Sequence, residues 1–122
     1  MHICIRPLTF AAALFATLAV TAPPATAQDF EVIKTEDAFR SLIVGKRLTI
    51  GDDHFVIRRN GALRGSFGGA ALRGAWEWRD GYWCRTLTSH AKNTDCQLWE
   101  VAGPQVRVTR NFGKGRSFIY SK

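Results

Sequence analysis

The chain has 122 residues and a formal charge of +7, with 17 basic residues against 10 acidic ones. That length leads us to expect one domain with one modest core. A basic balance suits nucleic acid in a cytosolic protein, but an N-terminal export signal redirects it toward anionic envelope components or a small anionic ligand.

Residues 1–27 carry that signal. Arg6 supplies the positive start, residues 10–20 (FAAALFATLAV) an apolar run, and Ala25-Thr26-Ala27 a small-x-small pattern that predicts cleavage before Gln28. The run falls short of the ~20 residues a membrane span needs, so no transmembrane segment is expected after cleavage. Cys4 leaves with the peptide. The expected domain, residues 28–122, keeps Cys84 and Cys96, and an even cysteine count in an oxidising compartment predicts one disulfide. The expected location is therefore periplasmic or secreted.

Residues 28–34 suggest a leader or short edge strand. "TEDAFRSLIVGK" predicts one short helix. Thr35 suits the N-cap, Glu36 and Asp37 sit where the helix dipole favours anions, and Gly45 marks the stop. Ala38, Phe39, Leu42 and Ile43 form its apolar stripe. From Arg47 the period changes to two. Short runs follow at 47–50, 54–59, 62–67, 72–79, 82–88, 95–102, 105–111 and 116–121. Asn60-Gly61 and Asp80-Gly81 signal type I′ hairpins, whose central residues both need positive φ. Gly103-Pro104 and Gly113-Lys114-Gly115 supply further turns. The fold expected is mainly β: an antiparallel meander of about eight short strands forming a small barrel or curled sheet, with the helix over one end or face.

A two-residue turn at Asp80-Gly81 places Trp78 opposite Trp83, Glu77 opposite Cys84 and Trp76 opposite Arg85. A Cys84–Cys96 bridge then puts Arg85 opposite Asp95 and Trp83 opposite Gln97. The Gly103-Pro104 turn pairs Val101 with Val106, Trp99 with Val108 and Gln97 with Arg110. Alternation gathers Trp76, Trp78, Trp83, Leu87, Trp99, Val101, Val106 and Val108 on one face, with Arg85, Asp95, Gln97 and Arg110 among them. That face is the interior, because four exposed tryptophans would make an adhesive patch. Glu100 and Arg107 pair on the other.

Arginine is seldom buried unpaired. Arg85 therefore has two readings: it pairs with Asp95 and stacks on Trp76, or it joins Gln97 and Arg110 at the mouth of a cavity walled by Trp76, Trp78, Trp83 and Trp99. Two guanidinium groups suit a carboxylate or phosphate. A basic exterior of Arg58, Arg64, Arg73, Arg79 and Arg107 offers a different surface, for a protein or envelope partner. Catalytic signatures are weak. Asp52-Asp53-His54 lies at a turn, where neighbouring side chains point apart and do not form a metal set. Adjacent Ser89 and His90 with Asp95 rarely reach triad geometry. "GSFGGAALRG" lacks the dinucleotide fingerprint. No cofactor, metal or nucleic acid is expected.

"DAFRSLIVGKRLTI", "GAWEWRDGYWCRTL", "DCQLWEV" and "GKGRSF" resemble stretches of a group of small exported alphaproteobacterial proteins. In these a helix ending in LxxG+xL precedes a GxWxWxDGxxCR hairpin and an xCQ strand. Members are often labelled dihydrodipicolinate reductase, so the resemblance adds an enzyme reading to the two binding ones. Cys84, Arg85, Cys96 and Gln97 match the shared motif, which implies no mechanism of its own.

Overall fold

Thr35 opens the helix as expected, its hydroxyl accepting the Ala38 N–H at 3.2 Å. The computed structural model describes residues 10–21 and 29–122. Residues 10–21 have no regular secondary structure and stand exposed. The expected cleavage motif, Cys4 and Arg6 lie outside the described residues. No helix among those described is long and apolar enough to cross a membrane.

The elements in chain order are β1 (Glu31–Val32), α1 (Glu36–Leu42), β2 (Arg47–Ile50), β3 (Asp53–Ile57), β4 (Ala62–Phe67) and β5 (Ala70–Arg79). They continue with β6 (Tyr82–Leu87), β7 (Thr94–Ala102), β8 (Gln105–Thr109), the one-turn α2 (Arg110–Gly113) and β9 (Ser117–Ser121). Strands β2 to β9 pair antiparallel in sequence order. β9 returns to β2 through the pair Thr49–Ser121, closing an eight-stranded barrel. β1 adds a ninth strand beside β7.

The register around the tryptophan-rich hairpin follows from its turn. Asp80 and Gly81 both take positive φ, 48° and 87°, and bring Trp78 opposite Trp83 and Trp76 opposite Arg85. Cys84 faces Cys96, and the two are disulfide-bonded on the outer side of the barrel. Arg85 pairs with Asp95, and Trp83 with Gln97.

Two local expectations are corrected. At Asn60-Gly61 only Gly61 has positive φ, 90°. The Gly61 N–H reaches the Arg58 carbonyl and the Arg58 N–H the Ala62 carbonyl, so this is a wider turn closed by a glycine bulge, not type I′. The Asn60 side chain accepts the Ala62 N–H at 3.1 Å, a local bond that substitutes for the left-handed conformation. The expected pair of Gln97 with Arg110 is also absent, because the β7–β8 ladder ends at Leu98–Thr109. Asn111 and Phe112 then turn left-handed, with φ of 52° and 55°. The Asn111 N–H donates to Asp95 Oδ1 at 3.0 Å and the Phe112 ring packs edge-on against Tyr82, which fixes this bend over the sheet.

Helix α1 closes one end of the barrel. Phe39 is fully buried, and its ring lies 5.6, 5.3, 6.2 and 5.2 Å from those of Trp76, Trp78, Trp83 and Trp99. Ile43, Leu48 and Ile57, also fully buried, complete this end. Each such side chain contributes about 1.5–3 kcal/mol of burial, so the apolar weight of the domain is concentrated here.

Candidate ligand cavity

At the height of Arg85 the barrel is not filled. Alternation along β4 turns Leu63, Gly65 and Phe67 inward, and along β5 it turns Leu72, Gly74 and Trp76 inward. Gly65 and Gly74 contribute no side chain, and neither could. A Cβ on Gly65 would lie 2.1 Å from the His54 carbonyl oxygen, and one on Gly74 would lie 2.5 Å from that of Thr86. The neighbouring strands approach too closely there for any side chain, a use that glycine in a strand serves.

The space that remains is a cavity of about 220 Å³. Phe55, Leu63, Phe67, Leu72, Leu87, Val108 and Phe118 form its apolar walls, with Trp83 also on its surface. Its polar lining comprises Arg85, Gln97, Arg110, Tyr120 and His90. Outside it lies a wider recess of about 710 Å³ that shares Phe67, Arg110, Phe118 and Tyr120 and extends to Asp52 and Asp53.

Arg85 is 6% exposed, a burial that demands partners. Its hydrogen bonds among the described residues leave from Nη1, to the Asn93 carbonyl at 3.1 Å and Asn93 Oδ1 at 2.8 Å. Nη2 approaches Asp95 Oδ2 only to 4.0 Å. Asp95 is engaged elsewhere: Oδ2 accepts from Gln97 Nε2 at 2.8 Å and Oδ1 from the Asn111 N–H. The expected stacking of Arg85 on Trp76 is not formed. Arg40 from α1 covers that ring instead, 4.9 Å from its centroid, because the indole lies at the helix-covered end.

Burial lowers the Arg85 pKa from its ordinary value, with Asp95 opposing and the positive charge of Arg110 adding to the effect. Tyr120 is raised, chiefly by burial, while Arg110 and Arg85 pull it down and Asp53 pushes it up. At neutral pH the cavity therefore presents two guanidinium ions and a phenolic O–H donor. Arg110 also stacks on Phe118, 5.0 Å from the ring centroid. The buried indole N–H of Trp83 has no hydrogen-bond partner among the described residues.

The seven candidate residues divide between two places. Trp83, Arg85, Gln97 and Arg110 share the cavity, while Trp76, Trp78 and Trp99 pack around Phe39 at the closed end. The walls from β3, β4, β5 and β9, with Tyr120 and His90, were not foreseen. The repeated ALRG at 62–65 and 71–74, folded about Gly68-Gly69, carried the missing signal, since that hairpin's register turns Leu63 and Leu72 inward.

Ser89 Oγ lies 2.8 Å from His90 Nδ1, but His90 Nε2 contacts the Phe67 carbonyl and Asp95 is bound to Gln97 and Asn111. This arrangement ties the 88–93 loop across the cavity margin and does not form the triad considered above. Among the described residues no three His, Cys, Asp or Glu side chains gather as a metal set.

On the outer surface, Arg79 contacts Glu77, and Arg107 forms a two-bond fork with Glu100 at 2.7 and 2.9 Å. Arg47, Val56, Arg64 and Arg73 stand side by side across β2 to β5, with Arg64 directly opposite Arg73. None of the ion pairs among the described residues involves these three arginines or Arg58.

Comparison with known proteins returns no matching family model, no matching curated protein and no matching solved structure.

Proposed function

We propose that this is an exported, non-catalytic binding domain that holds a small anion in the barrel interior. The observation that carries the reading is Arg85: a guanidinium 6% exposed, on the wall of a cavity, whose carboxylate neighbour is already engaged by two other donors. A purely structural arginine would close on Asp95 and fill the space. The disulfide supports an oxidising compartment.

The test is a thermal-shift and tryptophan-fluorescence screen of the oxidised protein against small periplasmic anions and cell-wall fragments. A concentration-dependent rise in Tm, absent from Arg85→Leu, is expected. Absence of any response across the screen would remove the reading.

A second reading concerns an anionic envelope component on the outer arginines. It is favoured by Arg64 facing Arg73 without an acid between them, since like charges directly opposite destabilise a sheet. Arg79 and Arg107 drop out of this surface because Glu77 and Glu100 neutralise them. Salt-sensitive sedimentation with anionic phospholipid vesicles, weakened in Arg64→Gln/Arg73→Gln, would support it.

A further inference from the structure

We infer that the cavity's occupant is a monocarboxylate carrying an apolar body, its carboxylate at Arg85 and its body against the leucine and phenylalanine walls. The inference rests on the cavity reading above and assigns it a chemical class.

Charge balance sets the first limit. Arg85 is the buried cation of the lining and Arg110 an exposed one at its rim, so the desolvated part of the cavity meets a single negative charge. A dianion would leave an uncompensated charge in a partly desolvated space. Donor geometry sets the second. A carboxylate presents two oxygens, a number that a guanidinium edge and the Tyr120 hydroxyl can serve. Phosphate or sulfate presents more oxygens and no apolar part, so it would leave the Leu63, Leu72 and Leu87 walls without a partner.

The walls set the third. Phe55, Leu63, Leu72 and Leu87 give the cavity an apolar wall beside its cationic lining. At the packing density of protein interiors, 220 Å³ takes a solute of roughly 160 Å³ van der Waals volume, the scale of a phenylalkanoate or a medium-chain fatty acid.

Calorimetric titration of the oxidised protein tests this with phenylacetate, 3-phenylpropionate, hexanoate and octanoate against inorganic phosphate, sulfate, succinate, acetate and phenylacetamide. Affinity is expected to rise by about fourfold for each methylene the cavity buries. Phenylacetamide should bind at least about tenfold more weakly than phenylacetate, because it lacks the charge that the arginines meet. Arg85→Leu should abolish carboxylate binding. Arg110→Gln, at an exposed rim position, should weaken it and guards against a folding defect in the first variant. Arg79→Gln should bind as the parent does.

Tighter binding of phosphate, sulfate or succinate than of any phenylalkanoate or fatty acid would overturn the assigned class and leave the anion site standing. Equal binding of amide and acid would overturn the role of Arg85. No heat or thermal shift with any of these anions would overturn the cavity reading itself.

Discussion

At the scale of single residues, Asp95 and Arg85 divide the work unequally although they face one another. Asp95 accepts from Gln97 and from the Asn111 backbone, so it anchors both its own strand and the left-handed bend after β8. Removing it by Asp95→Ala leaves a buried amide and a backbone N–H without acceptors, and should cost about 3 kcal/mol in urea unfolding. Arg85→Leu should cost less, about 1 kcal/mol, since Asp95 keeps its Gln97 and Asn111 donors when the guanidinium is gone. A larger loss for Arg85→Leu than for Asp95→Ala would make the arginine structural. Tyr120 gives a second reading of the same cavity. Its folded pKa is raised, so the unfolded chain ionises first. Stability from this group is complete below the ordinary phenol value and is lost as pH rises from there through the folded value. Difference absorbance titration of the parent against Tyr120→Phe should show the tyrosinate appearing late, and the variant should lack that part of the alkaline stability loss.

At the scale of elements, the paired strands are held in register by their turns, and glycine permits their closest approaches. Gly65→Ala would drive a Cβ into the His54 carbonyl and the Phe55 backbone. Such a clash with backbone has no flexible neighbour to absorb it, so a loss of about 3 kcal/mol is expected by thermal unfolding. The hairpin of Trp76 to Arg85 was legible in the sequence because a two-residue turn leaves no freedom of register, and the cysteine pair extended that register to β7. The cap was only partly legible. The apolar stripe identified α1, but nothing in its spacing makes Phe39 the residue on which four tryptophans converge, or sends Arg40 to Trp76. The strand end after Thr109 was not legible, because Asn111 and Phe112 take left-handed φ through contacts with Asp95 and Tyr82 that lie far away in sequence. The same reason hid half the cavity. Its walls come from strands brought together only by closure of the sheet, with close backbone approaches at Gly65 and Gly74.

At the scale of the whole molecule, the disulfide restrains the β6–β7 pair that carries Arg85, Asp95 and Gln97. Reduction should cost roughly 3 kcal/mol by the loop-closure estimate, read as a shift in denaturant midpoint between oxidised and reduced protein. The opposite side of the barrel has no such restraint. β2 and β9 meet through one bridging pair, Thr49–Ser121, with the Thr49 hydroxyl 3.5 Å from the Ser121 carbonyl. The barrel thus behaves as a belt riveted at one point and buckled at another. The buckle lies beside Tyr120, so its loosening would widen the recess outside the cavity without disturbing the tryptophan cap. Amides of Thr49 and Ser121 should exchange with solvent faster than those of β5 and β6, and a bound solute that touches Tyr120 should slow them.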